Sequence, residues 1–301
     1  MFNGFLNIYK PKDLTSHDVV YKVRKKLKTK TGHLGTLDPM AEGVLPVALE
    51  NATRLIQFLP AQIKTYLAEI TLGIHTDTLD MQGKIIEKKA PRIIDEVFLK
   101  DTLKSFSGHS KQTPPKYSAV KVSGRKAYDL ARKDIDFKLT PRDIEIFSIE
   151  LLSYNHPEIK FRVKASPGTY VRTLCEDIGR KLGELTALSS LVREQSGSFF
   201  INNSVSLDSF NNMNEEEIKN IIIPVRDVFS LYPSLKVKKG LESKIFNGVS
   251  LIIDDFEKDN KLELKDKEKL FIYTGTGALI ALGELVIDKN IEVKPVKVFK
   301  E

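Results

Sequence analysis

Residues 32–43, Gly-His-Leu-Gly-Thr-Leu-Asp-Pro-Met-Ala-Glu-Gly, set a carboxylate, Asp38, among glycines, with His33 ahead of it and Pro39 directly behind. Glycine lacks a Cβ, so Gly32, Gly35 and Gly43 admit unusual backbone angles and let a bulky substrate come close. Pro39 pushes Asp38 toward extended geometry and limits where its carboxylate points. A lone carboxylate can act as a nucleophile or a base if a cation holds and orients it. Arg172 is a suitable cation, because a guanidinium keeps its charge and binds carboxylate with two parallel hydrogen bonds. The same Gly, Asp and Pro residues also make an ordinary surface turn, and spacing alone leaves both readings open.

Other chemistries have less support. The histidines (His17, His33, His75, His109, His156) show no paired ligand spacing, and Cys175 is the only cysteine, so a metal site is not expected. There is no Walker A sequence, no Gly-x-Gly-x-x-Gly and no Gly-x-Ser-x-Gly elbow. The run Thr76-Asp77-Thr78-Leu79-Asp80 reads as an Asx turn after a strand.

The elements around Asp38 follow from hydrophobic spacing. After Thr15-Ser16, an N-cap pair, Val20, Val23 and Leu27 recur at helical spacing, with Lys22, Arg24, Lys25 and Lys26 on the other faces. This predicts a basic amphipathic helix leading into the glycine loop. A buried strand is expected over 43–49 and a helix over 52–59. From Tyr66 the chain alternates, with Tyr66, Ala68, Ile70 and Leu72 on one face, which by itself makes Tyr66 a core aromatic. Helical spacing returns over 95–106. Residues 109–142 break the rhythm with Pro114, Pro115 and Pro141, and read as a long basic insertion holding one short helix. A strand over 159–165 turns through Pro167-Gly168-Thr169 into a helix ending at Gly183, which puts Arg172 in its first turn. Beyond a boundary at 229–233, five short strands and one helix suggest a small β-barrel.

With 301 residues, 41% hydrophobic and 29% charged, the chain has the composition of a globular protein of one large or two ordinary domains. No uncharged apolar run approaches the roughly 18 residues of a membrane helix. Without a signal-like N-terminus or a set of paired cysteines, the cytoplasm is the expected compartment. The net charge of +7 is unevenly spread: residues 1–30 and 111–133 each carry +6, leaving the rest at −5. Such polarity suits a polyanionic partner, and equally describes a solvated lysine-rich face.

Several segments in order carry a family resemblance: Lys10-Pro11 with Thr15-Ser16; Gly32-His33-x-Gly35-Thr36-Leu37-Asp38-Pro39; Lys64-Thr65-Tyr66; and Thr76-Asp77-Thr78-x-Asp80-x-x-Gly83. They continue with Gln112-x-Pro114-Pro115-x-Tyr117-Ser118-Ala119-x-Lys121-x-x-Gly124, then 168–174 (Gly-Thr-Tyr-Val-Arg-Thr-Leu), and Leu191-Val192-Arg193 ahead of Gly197-x-Phe199. In these segments the chain resembles the bacterial tRNA pseudouridine-55 synthases of the TruB family across nearly its whole length.

The resemblance implies that a T-loop uridine of tRNA is cut from its ribose at N1, rotated and rejoined through C5, with neither metal nor organic cofactor. Asp38 matches the catalytic aspartate, either attacking covalently or removing a ribose proton. Tyr66 matches the tyrosine stacked on the target base, and Arg172 the arginine paired with the aspartate. Tyr170, Leu191, Lys10 and Lys121 are assigned to substrate binding. His33 matches the histidine that fills the space the flipped nucleotide leaves, where a planar ring replaces lost stacking.

The implied fold is a mixed α/β (α+β) catalytic domain, residues 1–229, with a largely antiparallel central sheet, flanking helices and an RNA-gripping insertion at 109–142. A PUA-like RNA-binding barrel follows at 233–301. The implied partner is the tRNA T stem-loop, bound by a monomer without membrane, guide RNA or obligatory protein. Leu34 stands where the family more often has a small or hydroxylated residue, and Glu42 where threonine is common. The alternative is a non-catalytic RNA-binding protein on the same scaffold.

Overall fold

The computed structural model describes residues 2–60, 62–133, 135–257 and 265–299. The chain forms two compact units, Met1–Ile223 and Pro224–Glu301.

The strands of the first unit are β1 (Gly4–Lys10), β2 (Thr31–His33), β3 (Glu42–Leu49), β4 (Lys64–Leu72), β5 (Ile74–Thr76), β6 (Ile85–Lys88), β7 (Gly108–Gln112), β8 (Lys121–Val122), β9 (Arg125–Lys126), β10 (Arg142–Asn155), β11 (Glu158–Ala165), β12 (Thr186–Ser196), β13 (Phe199–Phe200) and β14 (Val205–Ser206). Its main helices are α1 (Ser16–Leu27), α2 (Glu96–Lys104), α3 (Ala127–Ala131) and α4 (Val171–Leu182). One large sheet runs β14-β1-β3-β12-β4-β11-β10-β7, with β2 added to β3 and β13 to β12. Its pairings are antiparallel except β1 with β14 and β3 with β12. The sheet is therefore mixed and largely antiparallel.

Local chemistry accounts for the elements that frame Asp38. Thr15 caps α1 in a reciprocal box: its hydroxyl accepts from the Asp18 N–H, and the Asp18 carboxylate accepts from the Thr15 N–H. Val19, Val20, Val23 and Leu27 then face the core, leaving the lysines outside. In β4 the residues Tyr66, Ala68, Ile70 and Leu72 are buried in alternation, and Ile159, Phe161, Val163 and Ala165 of β11 do the same beside them. Helix α4 ends at Gly183, whose φ of 72° is the left-handed stop that glycine supplies.

Two local expectations change, and two strands come without one. Residues 52–59 form no α-helix but two tight 3₁₀ turns, Glu50–Arg54 and Ile56–Phe58, because the bonds there run to the third residue back. The segment 109–142 is not all insertion: it starts with β7, an edge strand whose exposed residues show no hydrophobic alternation. The long strands β10 and β12 escape a period-of-two search because each is interrupted by two register shifts.

In the second unit the strands β15 (Ser234–Lys236), β16 (Leu251–Ile252), β17 (Lys269–Tyr273), β18 (Leu279–Ile287) and β19 (Ile291–Val298) run β15-β17-β18-β19-β16. A bridge between Val237 and Phe256 joins the chain just past β15 to the chain just past β16, so the sheet curls back on itself. Leu235, Val237, Ile245, Phe256, Leu270 and Ile272 fill its interior. Among the described residues, no helix is long and apolar enough to cross a membrane.

Candidate active site

Asp38 lies on the excursion between β2 and β3, and the backbone on both sides of it is held at several points. Leu34 N–H donates to the Pro46 carbonyl at 2.9 Å as the loop leaves β2. Ser16 Oγ accepts from Leu37 N–H at 2.8 Å and donates to the Leu37 carbonyl at 3.1 Å. The Pro39 carbonyl accepts from Asp13 N–H at 2.9 Å and from Lys10 Nζ at 3.1 Å. Arg193 donates to the carbonyls of Gly35 and Thr36. Ala41 N–H closes a turn on the Asp38 carbonyl at 3.0 Å. The residues look like a turn in sequence because they make one, and its fixed backbone is what aims the carboxylate.

The carboxylate meets Arg172, with Nε donating to Asp38 Oδ2 at 2.9 Å. Arg172 follows the first residue of α4, whose N-cap, Tyr170, is pinned by Gln112. The Gln112 amide accepts from Tyr170 N–H at 2.8 Å and donates to its carbonyl at 3.0 Å. The guanidinium also donates to the carbonyls of Thr78 at 3.0 Å and Tyr117 at 2.9 Å, and Asp80 Oδ2 stands 3.8 Å from Nε. Only 5% of the Arg172 side chain is exposed, against 36% for Asp38. The arginine is thus a buried post, and the aspartate faces outward from it. A charged donor of this kind orients a carboxylate strongly because little water competes for the bond.

Asp80 is a neighbour that sequence reading missed. It does form the expected Asx turn, its Oδ1 accepting from Thr78 Oγ1 at 2.7 Å and Gln82 N–H at 3.1 Å, but its other oxygen faces Arg172. The Thr-Asp-Thr-x-Asp spacing was the available signal.

Tyr66 is buried on β4, opposite Val163 of β11 and Arg193 of β12. Burial pushes its phenol up, and the Arg193 guanidinium opposes that shift. Leu191, also buried, pairs with Ala68 two residues along, so Leu191 and Tyr66 share one face of the sheet. The Tyr170 phenol is likewise raised by burial. His33, half-buried at the end of β2, has its imidazole held below the usual range by burial and by the charges of Arg193 and His17. Its Nδ1 has no hydrogen-bond partner among the described residues.

Two cations differ sharply in setting. Lys10, expected from sequence to bind substrate, is wholly buried and donates to the carbonyls of Pro11, Leu14 and Pro39, so it holds the Asp38 loop from inside. Burial pushes its ammonium down to about 8. Its strand position between apolar neighbours was the overlooked signal. Lys121 is exposed on the β8–β9 hairpin, opposite Lys126 and with Arg125 beside it. In the same insertion Lys126 and Arg132 each lie 5.5 Å from the Tyr128 ring, a basic and aromatic surface of the kind nucleic acids stack on. Of the departures noted above, Leu34 is simply buried, and Glu42 opens β3 opposite Val192.

Solved structures share this fold. The chain matches the structure titled "Crystal Structure of a Cbf5-Nop10-Gar1 Complex" with a TM-score of 0.74 at 29% identity, over 99% of this chain and 85% of that one. It matches "Structure of H/ACA RNP bound to a substrate RNA containing 2'-deoxyuridine" with a TM-score of 0.71 at 26% identity, over 99% and 85%.

Sequence comparison identifies the family. Residues 22–171 match the model of the TruB family pseudouridylate synthase N-terminal domain, and residues 172–230 that of the tRNA pseudouridylate synthase B C-terminal domain. The tRNA pseudouridine synthase B of Clostridium tetani is 39% identical over 273 residues, 89% of this chain and 93% of the relative. That of Syntrophomonas wolfei is 40% identical over 305 residues, 99% of each. The chain belongs to the TruB family of pseudouridylate synthases.

Proposed function

We propose that this protein isomerises uridine to pseudouridine in tRNA, at position 55 of the T loop, acting alone in the cytoplasm. The observation that carries this reading is the 2.9 Å contact between Asp38 and Arg172 on a loop fixed from both sides. Membership of the TruB family supports the reaction, and relatives carrying the name tRNA pseudouridine synthase B support the substrate.

The target base is stacked inside the T loop, so it must be flipped out to reach Asp38. The uncharged, planar ring of His33 takes its place in the stack. Tyr66 and Leu191 hold the flipped base flat, with Tyr170 beside it. Asp38 then acts on the nucleotide while the N1–C1′ bond breaks. The base turns, C5 joins C1′, and the proton lost from C5 is balanced by the one gained at N1, so no cofactor is consumed. The insertion grips phosphates through Lys121 and its neighbours, giving affinity without reading sequence. We take residues 1–229 as the catalytic domain and the barrel at 233–301 as an RNA-binding extension.

The test is to incubate full-length tRNA transcript with the protein and map pseudouridine along it. A single product in the T loop is expected. Product confined to other loops would remove the positional assignment, and no product would remove the isomerase reading.

A further inference from the structure

Strand β12 lies between the two strands that carry the site, and Arg193 sits where they are bridged. It is paired with Tyr66 of β4 on one side and with Gly43 of β3 on the other. A Cβ at Gly43, whose φ is 102°, would collide with the Arg193 backbone, so the two strands meet more closely than any other residue would allow. The Arg193 side chain is wholly buried. Nε donates to the Val44 carbonyl at 2.7 Å, Nη2 to Gly35 at 3.1 Å and Nη1 to Thr36 at 3.3 Å. These carbonyls lie where the Asp38 loop begins and just after it ends. Among the described residues, no carboxylate forms an ion pair with this guanidinium.

Burying a guanidinium without a counter-ion is expensive, and an apolar side chain would fill the same space at less cost. The charge has to be explained by what the fork holds. Its planar donors reach three carbonyls from three separate nitrogens, a spread that the single nitrogen of a lysine cannot span and an apolar side chain cannot supply. We propose that Arg193 is a positioning residue for the isomerisation, fixing the Asp38 loop and Tyr66 in a single rigid frame so that both meet the same flipped nucleotide. This rests on the reading of the protein as a uridine isomerase. Arg193 touches no reacting atom and acts only through Asp38 and Tyr66. Its charge also favours the ionised form of the Tyr66 phenol, against the effect of burial.

The experiment compares wild type, Arg193→Lys and Arg193→Gln on a T stem-loop RNA, measuring kcat, KM, RNA affinity and the pH profile of kcat. Arg193→Lys should lower kcat by about 100-fold, the scale of a small misplacement of reacting groups. KM and RNA affinity should stay within about 3-fold, since the RNA-facing surface is untouched. Arg193→Gln should also move any alkaline limb of the profile to higher pH, because the cation beside Tyr66 is gone. Wild-type turnover in Arg193→Lys would overturn the proposal. So would joint loss of RNA binding and turnover in both variants, which would assign Arg193 to the fold alone. Absence of product with wild type is a separate result, and it counts against the isomerase reading itself.

Discussion

Arg172 Nε donates to Asp38 Oδ2 at 2.9 Å across a sequence separation of 134 residues, and the same guanidinium reaches the carbonyls of Thr78 and Tyr117. One side chain therefore joins the Asp38 loop, the β5–β6 turn and the base of the insertion. Because the guanidinium is buried and the carboxylate is not, the arginine sets the direction in which the aspartate faces outward.

Substitution of Arg172 should act on turnover more than on binding. Arg172→Lys keeps a charge but not the fork, and should cost about 100-fold in kcat with a much smaller change in tRNA affinity. Arg172→Ala should be worse, because it also removes two charged hydrogen bonds to part-buried carbonyls, at about 1–3 kcal/mol each. Single-turnover kinetics with a denaturant titration of each variant checks both effects.

His33 is expected to serve through its ring. His33→Ala should lower kcat/KM by about 10-fold, within the range of base–aromatic stacking, whereas His33→Phe should keep most of the rate. The histidine also predicts a pH effect on stability. Its folded pKa lies below the ordinary 6.5, so as pH falls through 6.5 the unfolded chain takes a proton that native His33 refuses. Stability contributed by the neutral ring is present above that window and lost below it. Denaturation at pH 7.5 and 5.5 should show a smaller acid loss in His33→Phe than in wild type.

The insertion should set affinity through charge. Replacing Lys121, Arg125 and Lys126 together with alanine should weaken tRNA binding and flatten the log–log salt dependence by up to about 2–3, near 0.7–0.9 per lost phosphate contact. At saturating tRNA, kcat should stay close to wild type, as these exposed residues lie on the separate β8–β9 hairpin. Binding titrations from 50 to 200 mM salt provide the check.

How far the sequence reveals this architecture depends on whether a residue's signal is local. The cap at Thr15, the alternation from Tyr66 and the Gly183 stop are written into neighbouring residues, and they appear where they are read. The five strands of the second unit are legible for the same reason, being short and bounded by turn residues. Strands β10 and β12 are obscured because bulges reset their alternation. At the site, Asp38 and Arg172 stand out by type and setting, but their meeting is a tertiary fact. Lys10 misleads because a lysine is ordinarily a surface residue, while this one has three carbonyl partners contributed by the fold. Asp80 is hidden by doing two things at once, with one oxygen in a local turn and the other facing a residue on α4.

In the proposed function Asp38 performs the chemistry on an RNA that other residues bind. The direct measurement is pseudouridine formation and RNA affinity on one T stem-loop transcript, with wild type and Asp38→Asn side by side. The change removes one charge from a partly exposed side chain and leaves Arg172 its carbonyl partners, so the variant should fold and bind the transcript with affinity close to wild type. Wild type should convert one uridine and Asp38→Asn none. Product from Asp38→Asn at a rate near wild type would contradict that role for Asp38.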